Sequence, residues 1–499
     1  MILYNMPLFM VLAFLLLTLG VGLYASQRAT TLREYAVGNK QFHTTTLVVT
    51  VLATSFGGGT LMRNVPKVHN IGIYFIAMLF AIAVGFWIKS CLVLRMRPFM
   101  EHLSMAETIG SLYGKWFRAI AALLGICFSI GIVAIQINVI SAAIGMCVDS
   151  IDPRIITVLA TLILIAYAMF GGIRAITLTD ILQFATFTII IPLLIRLVFV
   201  KTGKSFLDII LLLQKQEKFQ FRNLFHLDKK LLKLVVESLG LACWFNPSAV
   251  QRVYMSSGPI QAHKVFLRVT LFSVIILACI VLMGLLVFVG DLTLPVTEIW
   301  PYILADMPPV YKGCVVISLL GMAMATADSS LHTAAIMFSH DMVESIRGIQ
   351  VVSYVHQLRL AKYTALITGL LAMIVTVYYP NLFQLSHFVF NALIICFEAT
   401  IAAPFILAIL GFRGSLPTAL IGMAIGALTA LILKKWPQID IGIGVGFLAM
   451  VANGLAMMAA HYLLPQPADK GWVGRDDQQK RMEQLIRAFK KYKKNIDLE

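Results

Sequence analysis

In the stretch "TSFGGGTLMRNVPK" three consecutive glycines, Gly57, Gly58 and Gly59, interrupt an apolar run, and Arg63 and Lys67 follow shortly after. Glycine weakens a helix because folding costs it the most backbone freedom. A second apolar run carries "CWFNPSAVQR", where Asn246 and Pro247 are placed to disrupt the hydrogen-bond ladder. Unwound backbone is tolerated in a bilayer only where it lines a protein cavity. There freed carbonyls can coordinate a cation, and half-helix N-termini can face an anionic group. Two such interruptions point to a transport site, whose solute-facing candidates are Ser55, Phe56, Gly58, Gly59, Arg63, Trp244 and Asn246. The competing reading is close helix packing through small residues.

An ionisable group within a span is costly enough to be a functional hypothesis by default. Those here are Arg63, Lys89, Arg196, Glu237, Asp328, His387 and Glu398. Arg63 follows the glycine break by about 6 Å if the helix resumes there, and its guanidinium can dock a substrate carboxylate bidentately. Its structural alternative is a pair with Glu237 or a snorkel to the surface. Lys89 and Arg196 read as snorkelling or paired side chains. Glu237 and Glu398 are both open as partners for a cation. Trp244, Phe245 and Phe56 can form a stacking wall or simply pack.

The elements that must hold these residues are membrane helices. Of the 499 residues, 59% are hydrophobic and only 13% charged, too little polar surface for a soluble protein of this size. The apolar runs are continuous rather than alternating, which argues against a β-barrel. The seven cysteines form no CxxC pair and read as small membrane hydrophobes. About thirteen spans are expected, near 7–26, 45–67, 71–95, 118–148, 154–173, 179–200, 232–255, 264–290, 312–338, 362–379, 383–411, 416–433 and 440–464. The first reads as a retained span, not a signal peptide.

Basic residues set the orientation. Arg33, Lys40, Arg95, Arg97, Lys115, Arg118, Arg174, Arg252, Lys264, Arg347, Lys362 and Arg413 fall on one side, with the basic tail after Pro465. The N-terminus is therefore expected outside and the C-terminus in the cytoplasm. The 201–232 loop, with Lys201, Lys204, Lys215, Lys218, Arg222, Lys229 and Lys230, breaks this pattern. The net charge of +16 is thus mainly a topology signal, and nucleic-acid binding is a poor explanation for it. The tail places Met482, Leu485, Ile486 and Phe489 at helical spacing opposite a basic face. It reads equally as a helix lying on an anionic leaflet or as a solvated tail.

The two interrupted spans are five apart. That spacing is expected if spans two to six and seven to eleven are two five-helix repeats, and an odd number of helices forces the second to be inverted. The expected organisation is all-α: a first helix and loop over 1–44, a repeat over 45–200, an extracytoplasmic loop over 201–231, an inverted repeat over 232–411, two further helices over 412–464 and a tail over 465–499.

Four separated stretches carry a resemblance: "LREYAVGNKQF" at 32–42, "YAMFGGIRAITLTDILQ" at 167–183, "NPSAVQRVYMSSGPIQAHK" at 246–264 and "GMAMATADSSLHTAAIMFSHDM" at 321–342. In content and order they resemble the motifs of the sodium:solute symporters, over about residues 5 to 430. The resemblance implies a sodium ion held between carbonyls of the broken helix, at Thr54 and Gly57, and partners on a later core helix, at Met322, Ala325 and Thr326. Ala325 departs from the family pattern, which has serine there, so one hydroxyl ligand is missing. Asp180 matches the family's "TD" aspartate, and Asp328 is the other acid placed to serve a second ion or an ion on its way out. The spacing of Asp180 also suits a helix N-cap. Phe56 stands where the sodium/proline carrier has an aspartate, which argues against proline as the solute.

The expected function is sodium-coupled uptake of a small organic solute, an amino acid or other carboxylate favoured, by alternating access in the plasma (inner) membrane. Sodium is the only ion required, and no cofactor is expected. The partners are the solute, sodium and the lipid bilayer. The alternatives are proton-coupled or sodium-independent transport, with Asp328, Asp180 or His387 carrying the proton, and a transporter-like membrane sensor. No P-loop, HExxH motif or serine–histidine arrangement indicates an enzyme.

Overall fold

The computed structural model describes residues 5–26, 31–147, 152–222, 245–305, 307–347, 354–436, 444–467, 470–473 and 484–489. Within a bilayer only helices satisfy an apolar segment's own backbone groups, and the apolar runs are helical. The order is α1 (Met6–Ser26), α2 (Leu32–Val37), α3 (Thr44–Ser55), α4 (Gly58–Ile71), α5 (Ile73–Leu92), α6 (Met105–Tyr113), α7 (Lys115–Gly145), α8 (Pro153–Thr202) and α9 (Phe206–Lys215). There follow α10 (Pro247–Tyr254), α11 (Pro259–Gly290), α12 (Ile299–Leu304), α13 (Pro309–Ile336), α14 (Val343–Arg347), α15 (Tyr354–Tyr378), α16 (Leu382–Leu410), α17 (Leu416–Lys435) and α18 (Val445–Leu463).

Among the described residues ten helices are long and apolar enough to cross a membrane, and α3 with α4 forms one further span bent by 57°. The expected fifth and sixth spans run together as α8, kinked where Gly172 takes φ 46°. A Cβ there would meet the Tyr35 ring at 3.0 Å, so glycine serves both the left-handed backbone and the close packing. Of the expected seventh span only the part beginning at Phe245 is described; Trp244 and Glu237 lie outside the described residues.

Helix α13 is the axis of the molecule. It packs against α7, α8, α1 and α15, and even its polar residues Ser329, Ser330, His332 and Thr333 are buried. It continues through a π-helical turn, Met337–Met342. A second helix with π-helical turns is α16, at Phe390–Ile394 and Glu398–Ala402. Such a turn misaligns the ladder and leaves carbonyls to be satisfied from outside. The Asn453 amide of α18 donates to Ala399 O at 2.8 Å and Thr400 O at 3.0 Å.

Side-chain contacts sort the connections onto two faces. On one face Lys40 donates to Met100 O (2.6 Å) and to Glu101 (2.7 Å), and Arg33 pairs with the same carboxylate. The Gln261 amide there reaches Phe42 O at 2.9 Å. Helix α6 belongs to this face: Arg118 bonds Asp341 (2.7 Å) and Glu344 (3.1 Å), while Ser104 donates to Asp341 (2.5 Å).

The other face holds the basic loop that broke the charge pattern. Lys201 donates to Tyr302 O at 2.7 Å, Lys204 to Val289 O at 2.7 Å and Lys218 to His69 O at 2.7 Å. Val289 and His69 lie in the last turns of α11 and α4, so these ammonium groups satisfy helix C-terminal carbonyls and oppose the dipole. Lys218 also sits 4.0 Å from the centroid of the Phe288 ring. These lysines act as helix caps.

Candidate functional site

Helix α3 ends at Ser55 and α4 begins at Gly58. A helix end leaves its last carbonyls without intrahelical donors. Two of them, Thr54 O and Ala53 O, lie 3.1 and 3.4 Å from the Thr326 hydroxyl of α13, which is also 3.3 Å from Met322 O. One hydroxyl proton cannot serve three carbonyls, so these are four oxygens gathered with few donors among them. That is the coordination a hard monovalent cation accepts.

Gly57 does not adopt a glycine-only conformation, since its φ is −69°. It is required by proximity: a Cβ there would lie 2.6 Å from Thr326 Oγ1 and 2.9 Å from Gln136 Oε1. Gly58 is similar, since a Cβ on it would lie 2.7 Å from Val139 Cγ1 and 2.8 Å from Leu319 O. Both the break and close packing are therefore present at these glycines. Ser55 is exposed although its neighbours Ala53, Phe56 and Gly57 are buried.

Of the expected ion-site residues, Thr54, Gly57, Met322 and Thr326 come together. The second carbonyl differs from the expected one: Ala53 O joins Thr54 O, while Gly57 O accepts the Thr60 N–H at 2.8 Å and starts the α4 ladder. Counting back along the i to i−4 ladder from the glycines identifies Ala53 and Thr54 as the freed carbonyls. Ala325 is fully buried and brings no side-chain oxygen.

Asp180 is not an N-cap, because α8 runs through it. Its carboxylate accepts from Thr50 and lies 3.4 Å from Arg252 Nη2. Arg252, 2% exposed, also contacts Ser329 and lies 3.2 Å from Thr54 Oγ1, and Thr54 Oγ1 is 2.9 Å from Ser329 Oγ. A buried guanidinium thus links α3, α8, α10 and α13 beside the oxygens gathered at the break, with Thr54 common to both groups. Charge counting along the sequence places Arg252 among the cytoplasmic topology residues; its position three residues before Met255 in a short helix gives no sign of this burial. Asp328 is buried two residues beyond Thr326.

Of the expected solute-facing residues, Arg63 donates from Nε to Gly59 O at 3.0 Å, which folds the guanidinium over the first turn of its own helix. That turn has no side-chain cap. Phe56 is buried, 6.3 Å from the Phe86 ring. Lys89 does not snorkel: it is buried between the rings of Phe86 (5.1 Å) and Phe245 (5.9 Å). Asn246 has a structural role, with its side-chain oxygen capping α10 through Ala249 N at 2.6 Å, and Pro247 is the first residue of that helix. The Asn–Pro pair thus begins α10, and the part of the expected seventh span before Phe245 lies outside the described residues. His387 bonds Asn391 on its own helix α16, and Glu398 of the same helix packs against Gly446 of α18.

Three comparisons bear on this site. The family model described as "Sodium:solute symporter family" matches residues 35–426. Comparison with curated protein sequences gave no significant match. Among solved structures, a sodium-coupled sialic acid symporter in a substrate-bound outward-open state superposes with a TM-score of 0.82 at 19% identity, covering 94% of this chain and 99% of that one. Mhp1, a nucleobase-cation-symport-1 family transporter in a closed conformation with bromovinylhydantoin bound, gives 0.59 at 11% identity, covering 87% and 96%. MhsT in complex with L-phenylalanine gives 0.51 at 14% identity, covering 83% and 98%. The family match, over residues 35–426 and so most of the length, establishes that the chain belongs to the sodium:solute symporter family.

Proposed function

We propose that the protein couples the inward flow of sodium to uptake of a small carboxylate-bearing organic solute by alternating access across the plasma membrane, with the N-terminus outside. The observation that carries the ion assignment is the convergence of Thr326 Oγ1 with the carbonyls of Ala53, Thr54 and Met322. A carboxylate is favoured by two features of α4. Its first turn presents N–H groups without a side-chain cap, and Arg63 is held over that turn by Gly59 O. Both complement a negative group. The solute of the sialic acid symporter, a carboxylic acid, is compatible with this chemistry in the same fold.

Ion binding at the break and solute binding on α4 both act on the joint between α3 and α4. Each restrains the two half-helices relative to α13, which links the two binding events physically. Asp180 and Asp328 are proposed to guide the ion on release, with Arg252 balancing Asp180 while the site is closed.

The test is uptake of labelled amino acids and organic acids into proteoliposomes. Uptake should require an inward sodium gradient, and Arg63→Gln should raise KM for an anionic solute about tenfold or more. Unchanged KM for that solute would remove Arg63 from the reading. A second reading, proton coupling, is favoured by one observation, the missing hydroxyl at Ala325. Uptake driven by a proton gradient without sodium would establish it in place of sodium coupling.

A further inference from the structure

We infer that the side-chain oxygen of Gln136, on α7, is an additional ligand of the coupling ion and stands in for the hydroxyl that Ala325 lacks; this rests on the sodium reading given above. Gln136 is 5% exposed. Its Oε1 is buried and, among the described residues, has no hydrogen-bond partner. A buried carbonyl oxygen left unsatisfied is unfavourable, so its retention calls for a ligand.

Its position specifies the ligand. Thr326 Oγ1 and Gln136 Oε1 approach the same point beside the Gly57 Cα, 2.6 and 2.9 Å from where a Cβ would stand. They reach the unwound backbone from two different helices, α13 and α7. Gly59 similarly leaves room for the amide, with Nε2 at 3.7 Å from its Cβ position. The two outer glycines thus admit the Gln136 carboxamide to the break.

The chemistry fits a small hard cation. Ala53 O, Thr54 O, Met322 O and Thr326 Oγ1 supply four oxygens. Ala325 is buried and supplies no side-chain oxygen. Such a cation favours a larger oxygen shell, and an amide oxygen is a good neutral ligand for it. Gln136 as the fifth oxygen keeps the ligand set neutral.

The proposal makes a compensation prediction. Binding of 22Na+ to the purified full-length protein would be measured for the wild type, Gln136→Ala, Ala325→Ser and the double variant. Gln136→Ala should weaken sodium binding tenfold or more, and adding Ala325→Ser should recover most of that loss. Gln136→Glu covers the case in which the alanine variant does not fold: it keeps the shape, adds charge and should bind sodium more tightly than the wild type. Sodium affinity unchanged in Gln136→Ala or Gln136→Glu would overturn the proposal. So would a folded double variant that recovers nothing, or a Gln136→Ala whose defect is confined to solute KM. Wild-type protein with no saturable 22Na+ binding would overturn the sodium reading itself, a separate outcome.

Discussion

Arg252 shows how much of the site a single residue can govern. Its guanidinium is buried against Ser329, Thr54 and Asp180. Removing one member of a buried pair leaves an uncompensated charge, which costs about 3–5 kcal/mol. Arg252→Ala should therefore lower the thermal midpoint in detergent markedly, and adding Asp180→Asn should recover part of it. Equal melting of the single variant and the wild type would contradict the pairing. At this scale the sequence is informative where chemistry is carried by residue type and motif. Thr54, Met322 and Thr326 lie together, while Gly57 O is bonded to Thr60 N–H and Ala53 O stands beside Thr54 O in its place. It is less informative about partners distant in the chain. Gln136 and Arg252 look like an ordinary span residue and an ordinary boundary charge until α7 and α10 are packed on the break. Asn246 reads in the sequence as a breaker and solute group, while its actual bond is to Ala249 N.

The elements explain why four motifs far apart in sequence belong together. Tyr35 of α2 lies against Gly172 of α8 and 4.8 Å from the His332 ring of α13. The Gln251 amide of α10 donates to Ala36 O at 2.9 Å. Helix α2 is thus a plug on which the other three motif segments converge. It is anchored by Glu101, whose carboxyl is held below the usual carboxylate range by the bonded Lys40 ammonium, with Arg33 adding to it. A depressed folded-state pKa contributes stability that is present above the unfolded value and lost as pH falls through the folded one. The anchor should therefore hold at neutral pH and loosen only below the ordinary carboxylate range. Because Glu101 is largely exposed, the effect is modest. Protease cleavage near residues 38–43 should rise below that pH in the wild type and be raised at all pH values in Glu101→Gln. Cleavage identical in both proteins would contradict the anchor. On the opposite face, Lys218→Met should speed proteolysis of the 203–222 region several-fold, since it removes a carbonyl cap and a ring contact. Unchanged proteolysis would contradict that role. Lys201, Lys204 and Lys218 are all bonded to helix-end carbonyls, a structural role that a charge count along the sequence does not register.

For the whole molecule, hydropathy and composition are enough to identify a helical membrane protein, because long apolar runs have one solution in a bilayer. Counting the spans is harder. The expected fifth and sixth spans are joined in α8, and hydropathy does not register the Gly172 kink. The repeat argument depends on two interrupted spans, and of these the α3–α4 interruption lies wholly within the described residues. Its 57° bend, its freed carbonyls and Thr326 form the joint on which sodium and solute are proposed to act together. The most direct test of that account needs no knowledge of the solute. Purified protein should bind 22Na+ saturably, with unlabelled sodium competing and potassium not. Thr326→Ala should weaken that binding tenfold or more, while Thr326→Ser should retain most of it. Absence of saturable binding in the wild type, or binding unchanged in Thr326→Ala, would contradict it.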